Sequence, residues 1–260
     1  MKIKQLLLVL FIALTSSTIA QIDANITDLN TNKTVAISDL YSEYNLDRSI
    51  PTLIITWSGE WCAPCIDLIN RYHSCDLSML NLITINVDAK DRRDGVLNKG
   101  YHRNWTKSLN FHANLGGSSR GLDNIFNVSS APLVIYMING YISDALVSFQ
   151  ITPYKLVESG RINDIGFIWN NSSDLNSLAW SYYENVNDQA KLQEAIGWVN
   201  RSIALDENYH NVDTHAALLF KTGKYTEALK RAKDAIEIGK QTGVDYSAST
   251  DLINQIIEKL

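Results

Sequence analysis

The sequence has little cysteine and no excess of positive charge. Cys62, Cys65 and Cys75 are its only cysteines in 260 residues, too few for a fold held together by several disulfides. It contains 23 lysines and arginines against 28 aspartates and glutamates, so the formal net charge is −5. Because a nucleic-acid-binding surface is usually basic, we expect no nucleic-acid partner. Hydrophobic residues make up 45% and charged residues 20%, which is ordinary globular composition.

Long apolar runs are also scarce, and the longest lies at the N terminus. Lys2 and Lys4 precede the apolar stretch 6–14, and small residues follow at Thr18 and Ala20. This pattern predicts a signal peptide over residues 1–20, removed after Ala20. The run is short for a bilayer span, which needs about 20 residues, and an uncleaved anchor helix is the alternative. We therefore expect an exported protein, in whose oxidising surroundings a sparse, close cysteine pair is more often chemical than structural.

Cys62 and Cys65 stand between a predicted strand and a predicted helix. The run Leu53-Ile-Ile55 indicates a buried strand over 52–57. The apolar spacing after Cys65 indicates a helix that continues to about Leu77. A Cys-x-x-Cys pair at the beginning of a helix is typical of a redox couple, because the helix N terminus stabilises a thiolate.

The spacing also predicts a different role for each cysteine. We expect Cys62 to be the more exposed residue and the attacking nucleophile. Cys65, one turn inside the helix, is expected to be buried and to resolve the mixed disulfide. Pro64 falls near the first helical turn, where a missing N–H has no consequence. We expect no metal and no cofactor other than the Cys62–Cys65 disulfide itself.

The remaining N-terminal elements predict an α/β domain over residues 21–160. A short hairpin is expected over 26–40, and a strand over 82–87 completes a parallel βαβ unit. In the mixed stretch 92–126, Trp105 and Leu109 are expected to face inward from a helix, residues 116–119 to form a loop, and a second helix to cover 122–126. Asn139-Gly140 predicts a tight turn in a hairpin over 132–149. Pro153 suits the first position of a closing helix.

The chain after residue 160 has a different pattern. Turn-forming residues over 161–174 predict a linker, interrupted by an apolar island at 165–169. Residues 175–260 show only helical periodicity. Five positions resemble the tetratricopeptide repeat: Gly223, Tyr225, Ala228, Ala232 and Ala235. A degenerate earlier copy surrounds Glu194-Ala195, near the expected period of about 34 residues. A plain helical bundle is the alternative, and this region is the candidate for contacting a protein partner.

The motif Trp61-Cys-Ala-Pro-Cys65 resembles the thioredoxin active site, with Ala63 in place of the commonest glycine. The resemblance covers about residues 24–160 and, with the helical tail, is closest to exported thioredoxin-family thiol–disulfide oxidoreductases of bacterial envelopes. It implies a thioredoxin-like α/β domain followed by an all-α domain. It also implies a cis bond before Pro132, which would lie beside the cysteines, with Trp61, Ala63 and Pro64 as further supporting residues.

The resemblance also implies a function, a partner and a location. We expect an enzyme that reduces protein or small-molecule disulfides, in the periplasm of a Gram-negative bacterium or outside the cell. Such a reductase would need an electron donor at the membrane. The alternative is a binding module or redox sensor, in which the helical repeats hold a partner and the thioredoxin fold is a scaffold.

One position departs from the family pattern, and the third cysteine has two alternative roles. Many thioredoxins carry a buried acid six positions before the first cysteine, where this chain has Thr56, and Glu60 is expected to be solvated. Cys75 is expected on the same helix as Cys65 but on a different face. It suits a buried core cysteine, or less readily a zinc site formed with Cys62, Cys65 and His73.

Overall fold

A computed structural model describes residues 24–115, 122 and 131–260. The predicted signal peptide, the loop over 116–119 and all but Leu122 of the predicted helix over 122–126 lie outside the described residues. Of the helices within these ranges, none is both long enough and apolar enough to span a bilayer.

A seven-stranded sheet forms the N-terminal part in the order β2-β1-β5-β4-β3-β6-β7. The strands are β1 (Asn25–Asp28), β2 (Thr34–Ala36), β3 (Thr52–Trp57), β4 (Asn81–Asn86), β5 (Leu109–His112), β6 (Leu133–Ile138) and β7 (Tyr141–Val147). Helices α1 (Leu40–Glu43), α2 (Ala63–His73), α3 (Arg93–Lys99), α4 (Tyr101–Asn104) and α5 (Pro153–Glu158) accompany it.

Two motifs that share this sheet make up a thioredoxin-like fold. Strands β3 and β4 are parallel and α2 connects them, as predicted for a βαβ unit. Strand β6 runs antiparallel to β3 and forms a hairpin with β7, after which α5 follows. The predicted turn is confirmed, since Asn139 and Gly140 both have positive φ, at 54° and 84°. Such a primed turn matches the twist of the two strands that it joins.

The predicted helix containing Leu109 is wrong, because Leu109 begins β5. This strand lies between β4, to which it is parallel, and β1, to which it is antiparallel. Trp105 is buried as expected, but it follows α4 instead of lying within a helix. The polar residue Asn110 is fully enclosed and bonds to the Thr84 hydroxyl at 2.8 Å.

Helix α2 ends at His73, four residues before the predicted end. Beyond it, the Asp76 N–H bonds at 2.9 Å to the carbonyl of Phe167, which belongs to a 3₁₀ turn over Ile165–Ile168. This contact takes the chain away from the helical path. Cys75 therefore lies past the helix rather than on one of its faces.

The segment 161–174 is packed rather than extended between two bodies. Phe167 and Ile168 are buried in the core on one side of the sheet, together with Tyr72 of α2 and Leu156 of α5. The apolar island at 165–169 therefore packs on the α/β part of the molecule.

The C-terminal part contains five helices. They are α6 (Ser172–Asn185), α7 (Gln189–Leu205), α8 (Tyr209–Lys221), α9 (Tyr225–Thr242) and α10 (Ser247–Ile257). Gly223, with φ 79°, lies in the turn between α8 and α9, as expected. The small residues Ala228, Ala232 and Ala235 of α9 are all fully buried. The predicted class, an α/β domain followed by a helical region, is confirmed.

Candidate active site

The two cysteines of the motif form a disulfide at the N terminus of α2. Cys62 is the residue before the helix, and Cys65 lies in the first turn, where its N–H bonds to the Cys62 carbonyl at 3.1 Å. Their sulfurs are bonded and their Cα atoms are 5.3 Å apart, within the usual range. Pro64 is the second residue of the helix, so its missing N–H removes no helical hydrogen bond.

Both cysteines are buried, Cys62 at 3% and Cys65 at 0% exposure. The predicted exposure of Cys62 is therefore not found while the disulfide is closed. The exposed residues are its neighbours, with Trp61 at 52% exposure and Ala63 and Pro64 beside it. We call these three exposed residues the rim of the site.

Pro132 lies next to the disulfide, as predicted. The Ala131–Pro132 bond is cis, and the Ala131 carbonyl oxygen is 3.8 Å from the Cys62 sulfur. A disulfide sulfur carries no hydrogen, so this is a packing contact and not a hydrogen bond. The hairpin strand β6 begins at the next residue, and its pairing with β3 holds this peptide beside the site.

Thr56 has a structural role in the same place. It is fully buried, and its hydroxyl oxygen accepts the N–H of Leu133 at 2.7 Å. The ladder between β3 and β6 ends one step earlier, at Ile55 and Val134. The hydroxyl thus gives the first N–H after the cis-proline a partner that the sheet does not supply.

Two acidic side chains lie near the motif, one in sequence and one in space. Glu60, two residues before Cys62, is exposed, as expected. Asp88, which follows β4 and is 2% exposed, was not predicted from the sequence. Its carboxylate accepts the N–H of Gly59 at 2.9 Å and the hydroxyl of Ser58. The sequence did hold a signal, because β3 and β4 are parallel neighbours and polar residues that follow such strands meet at one edge of the sheet.

Cys75 and His73 do not join the cysteine pair. Cys75 is a buried free thiol whose S–H points to the Arg71 carbonyl at 3.4 Å, and burial raises its pKa. His73 pairs with the Ser108 hydroxyl at 3.0 Å, and burial together with Lys107 lowers its pKa to about 4. Within the described ranges, no three His, Cys, Asp or Glu side chains are grouped so that they could share a metal ion. The zinc alternative thus finds no support in this geometry.

The sequence matches no family model and no curated protein sequence. Similar solved structures include a secreted disulfide oxidoreductase of Mycobacterium tuberculosis homologous to E. coli DsbE, with 14% identity and a TM-score of 0.37. That match covers 55% of this chain and 96% of the other. An uncharacterized thioredoxin-like protein from Porphyromonas gingivalis is 18% identical, with a TM-score of 0.40 and coverage of 54% and 89%.

A third similar structure, a DsbF homologue from Corynebacterium diphtheriae, is 15% identical, with a TM-score of 0.38 and coverage of 55% and 85%. The likeness is one of fold alone. At these identities and TM-scores no activity follows from it. The thioredoxin-like fold itself is assigned from the order and direction of the strands.

Proposed function

We propose that this protein is a thiol–disulfide oxidoreductase. The observation that carries the proposal is the Cys62–Cys65 disulfide at the N terminus of α2, beside the cis bond of Pro132. A helix N terminus favours a thiolate, and a second cysteine one turn away can displace a bound substrate.

In the reducing direction, the Cys62 thiolate attacks one sulfur of a substrate disulfide. A bond forms between Cys62 and that sulfur, and the other substrate sulfur leaves as a thiolate that takes a proton from water. Cys65 then loses its proton to water and attacks the Cys62 sulfur, which closes the Cys62–Cys65 disulfide and releases the second substrate thiolate. Two electrons pass from the protein to the substrate. Trp61, Ala63 and Pro64 are assigned to the rim where the substrate approaches.

We further propose that the physiological direction is reduction of protein disulfides in the cell envelope. Support comes from the resemblance of Trp61-Cys-Ala-Pro-Cys65 to thioredoxin and from the export pattern of residues 1–20. An oxidising compartment would reoxidise the pair, so a membrane electron donor is part of the proposal.

The activity is tested by the reduction of insulin by dithiothreitol, with and without the purified mature protein. We expect the protein to accelerate the reaction and Cys62→Ser to abolish the acceleration, because the attacking thiol is lost and Cys65 is fully buried. Cys75→Ser is the matched control and should keep the rate, since that thiol is buried away from the rim. Equal rates for wild type and Cys62→Ser would contradict the proposal.

The reduction potential of the Cys62–Cys65 pair tests the direction. A value near that of thioredoxin, about −270 mV, fits a reductase, whereas a value near about −120 mV fits an oxidant. The measurement is equilibration with glutathione buffers, followed by counting of free thiols.

We also propose a division of the chain into an α/β domain over 21–160, a connecting segment over 161–174 and a tetratricopeptide-like region over 175–260. The tetratricopeptide-like region is proposed to contact a protein partner. Its support is an aromatic pair on α6, Trp180 and Tyr183, whose rings are 4.9 Å apart, with Trp180 exposed. Capture of disulfide-linked proteins by a Cys65→Ser trap, with and without Trp180→Ala, tests it. Identical capture by both proteins would argue that this surface is dispensable for recognition.

A further inference from the structure

We propose that Asp88 is a positioning residue for Cys62 and that it acts through the hydroxyl of Ser58. This inference rests on the proposed thiol–disulfide exchange and adds to it residues that hold the attacking sulfur in place. The buried Asp88 carboxylate, which is distant in sequence, hydrogen-bonds to the loop before the cysteines.

The Asp88 carboxylate is surrounded by neutral donors. Its Oδ1 accepts the Ser58 hydroxyl, and its Oδ2 accepts the Gly59 N–H at 2.9 Å and the Asn86 side-chain amide at 3.0 Å. The ion pairs found among the described residues do not include Asp88. Hydrogen bonds to a carboxylate are stronger than those between neutral groups. The carboxylate therefore holds Ser58 and Gly59 firmly.

Ser58 carries this constraint toward Cys62. The residue is fully buried, and its oxygen accepts the N–H groups of Glu60 at 3.0 Å and Trp61 at 3.2 Å. A hydroxyl has one hydrogen and two lone pairs, so its hydrogen is left for Asp88. Both hydroxyl lone pairs and its hydrogen are thus used, and every residue from Ser58 to Trp61 is tied to the Ser58–Asp88 pair.

The fixed loop determines the position of Cys62, which is the next residue in the chain. Cys62 must stay at the N terminus of α2 for its thiolate to be stabilised by the helix. The other polar side chains close in sequence are not available for this task, because Thr56 is bonded to Leu133 and Glu60 is exposed. Loss of the Ser58–Asp88 bond should let the loop move and take the sulfur away from the helix end.

The first measurement is the rate at which iodoacetamide alkylates Cys62 in the reduced full-length protein, followed by peptide mass spectrometry. Ser58→Ala keeps the carboxylate but removes the link. We expect the alkylation rate at pH 7 to fall about tenfold, because a sulfur that has moved from the helix N terminus loses the stabilisation of its thiolate. This readout needs no disulfide substrate, so it remains informative if the proposed exchange activity itself fails.

The second measurement is a double-mutant cycle on the exchange rate with Ser58→Ala, Asp88→Asn and the double variant. If Asp88 acts through Ser58, each single change should slow exchange about tenfold and the double variant should be no slower than either single one. Asp28→Asn is the matched control. Asp28 is also buried and also fixes a turn, through the N–H groups of Asn30 and Thr31 at 2.7 and 3.0 Å, but in the β1–β2 hairpin.

Several outcomes would overturn the inference. One is an unchanged Cys62 alkylation rate in Ser58→Ala, and another is full additivity of the two changes in the cycle. An equal loss of exchange in Asp28→Asn would show that general destabilisation, and not positioning, slows the reaction. If wild type exchanges no disulfide while Ser58→Ala still slows alkylation, the proposed function fails and the positioning role stands.

Discussion

A neutral hydroxyl at Thr56 stands where many thioredoxins carry a buried acid. In this chain the hydroxyl accepts the N–H of Leu133, the residue after the cis-proline. The acid that does lie close to the motif is Asp88, on the neighbouring strand end, and its oxygens are occupied by the loop before Cys62. At the residue scale the site thus depends on buried hydrogen bonds that fix backbone.

Thr56→Val tests the hydroxyl. Valine has nearly the same shape, so the change removes the acceptor and leaves a buried N–H unpaired, which costs about 1–3 kcal/mol. We expect the free energy of unfolding in urea to fall by that amount and the insulin-reduction rate to fall as well, because β6 would no longer hold Pro132 firmly.

Thr84→Val is the control for that change. Thr84 is equally buried, and its hydroxyl donates to Asn110 at 2.8 Å in β4 and β5. It should lower stability without lowering the rate per folded molecule. A normal rate in Thr56→Val would mean that the hydroxyl serves the fold alone.

The roles of the cysteine pair, Pro64 and Pro132 could be predicted from the sequence, because each belongs to a short motif or a family position. The hydrogen bond between Ser58 and Asp88 could not be predicted in this way. These residues are 30 positions apart and meet only because β3 and β4 are adjacent and parallel. The burial of Cys62 was missed for a similar reason, since the Ala131 peptide that covers it comes from another part of the chain.

At the scale of elements, uninterrupted apolar runs predicted β3, β4 and β6 well, because strands buried on both faces need little polarity. Strand β5 was missed because Leu-Asn-Phe-His has no such run. Asn110 is tolerated inside because its amide bonds to the carbonyls of Trp105 at 3.0 Å and Ser108 at 3.1 Å, which are contacts of the folded chain. Helix α2 was predicted too long because the partner that ends it, Phe167, is remote in sequence.

Gly140→Ala tests the hairpin that carries β6. Gly140 has φ 84°, and an added Cβ would be 2.5 Å from the Arg48 guanidinium and 3.5 Å from the Tyr41 ring. We expect a loss of about 1 kcal/mol or more in the free energy of unfolding, measured in urea.

Gly197→Ala is the matched control, since Gly197 lies inside α7 with open space around an added Cβ. That change should raise stability by about 0.5–1 kcal/mol through better helix propensity. The same sign of effect at both glycines would contradict the assignment of a strained turn at Gly140.

At the scale of the whole molecule, the helical region is joined to the α/β part through a buried ion pair. Asp174 of α6 is fully buried and meets Arg71 of α2 at 2.6 Å, while the same carboxylate accepts the Tyr154 N–H of α5 at 3.1 Å. Burial raises the pKa of Asp174, and its bonds to Arg71 and Tyr154 oppose that rise. Leu175 and Leu178 extend the core beneath the sheet. A truncation at residue 174 would therefore remove part of that core.

Arg71→Ala should destabilise the full chain strongly, because it leaves the Asp174 charge enclosed without its cation. We expect a loss of about 3 kcal/mol in the free energy of unfolding, at the low end for a broken buried pair since Arg71 is 33% exposed. Urea unfolding followed by tryptophan fluorescence measures it.

Lys155→Ala provides the comparison, because its pair with Glu158 lies at the surface and should be worth less than about 1 kcal/mol. Equal losses for Arg71→Ala and Lys155→Ala would show that the α2–α6 contact contributes no more than a surface pair.

The spacing of the two cysteines has a final consequence for how the molecule can be used. Their bond joins residues only three positions apart, and a crosslink restrains an unfolded chain less as the loop that it closes becomes shorter. Opening the bond therefore withdraws little support from the sheet and helices, which are held by their own cores and hydrogen bonds. In the proposed exchange cycle, we expect the sheet and helices to keep one arrangement in both redox states, which would differ in the bond between the two sulfurs.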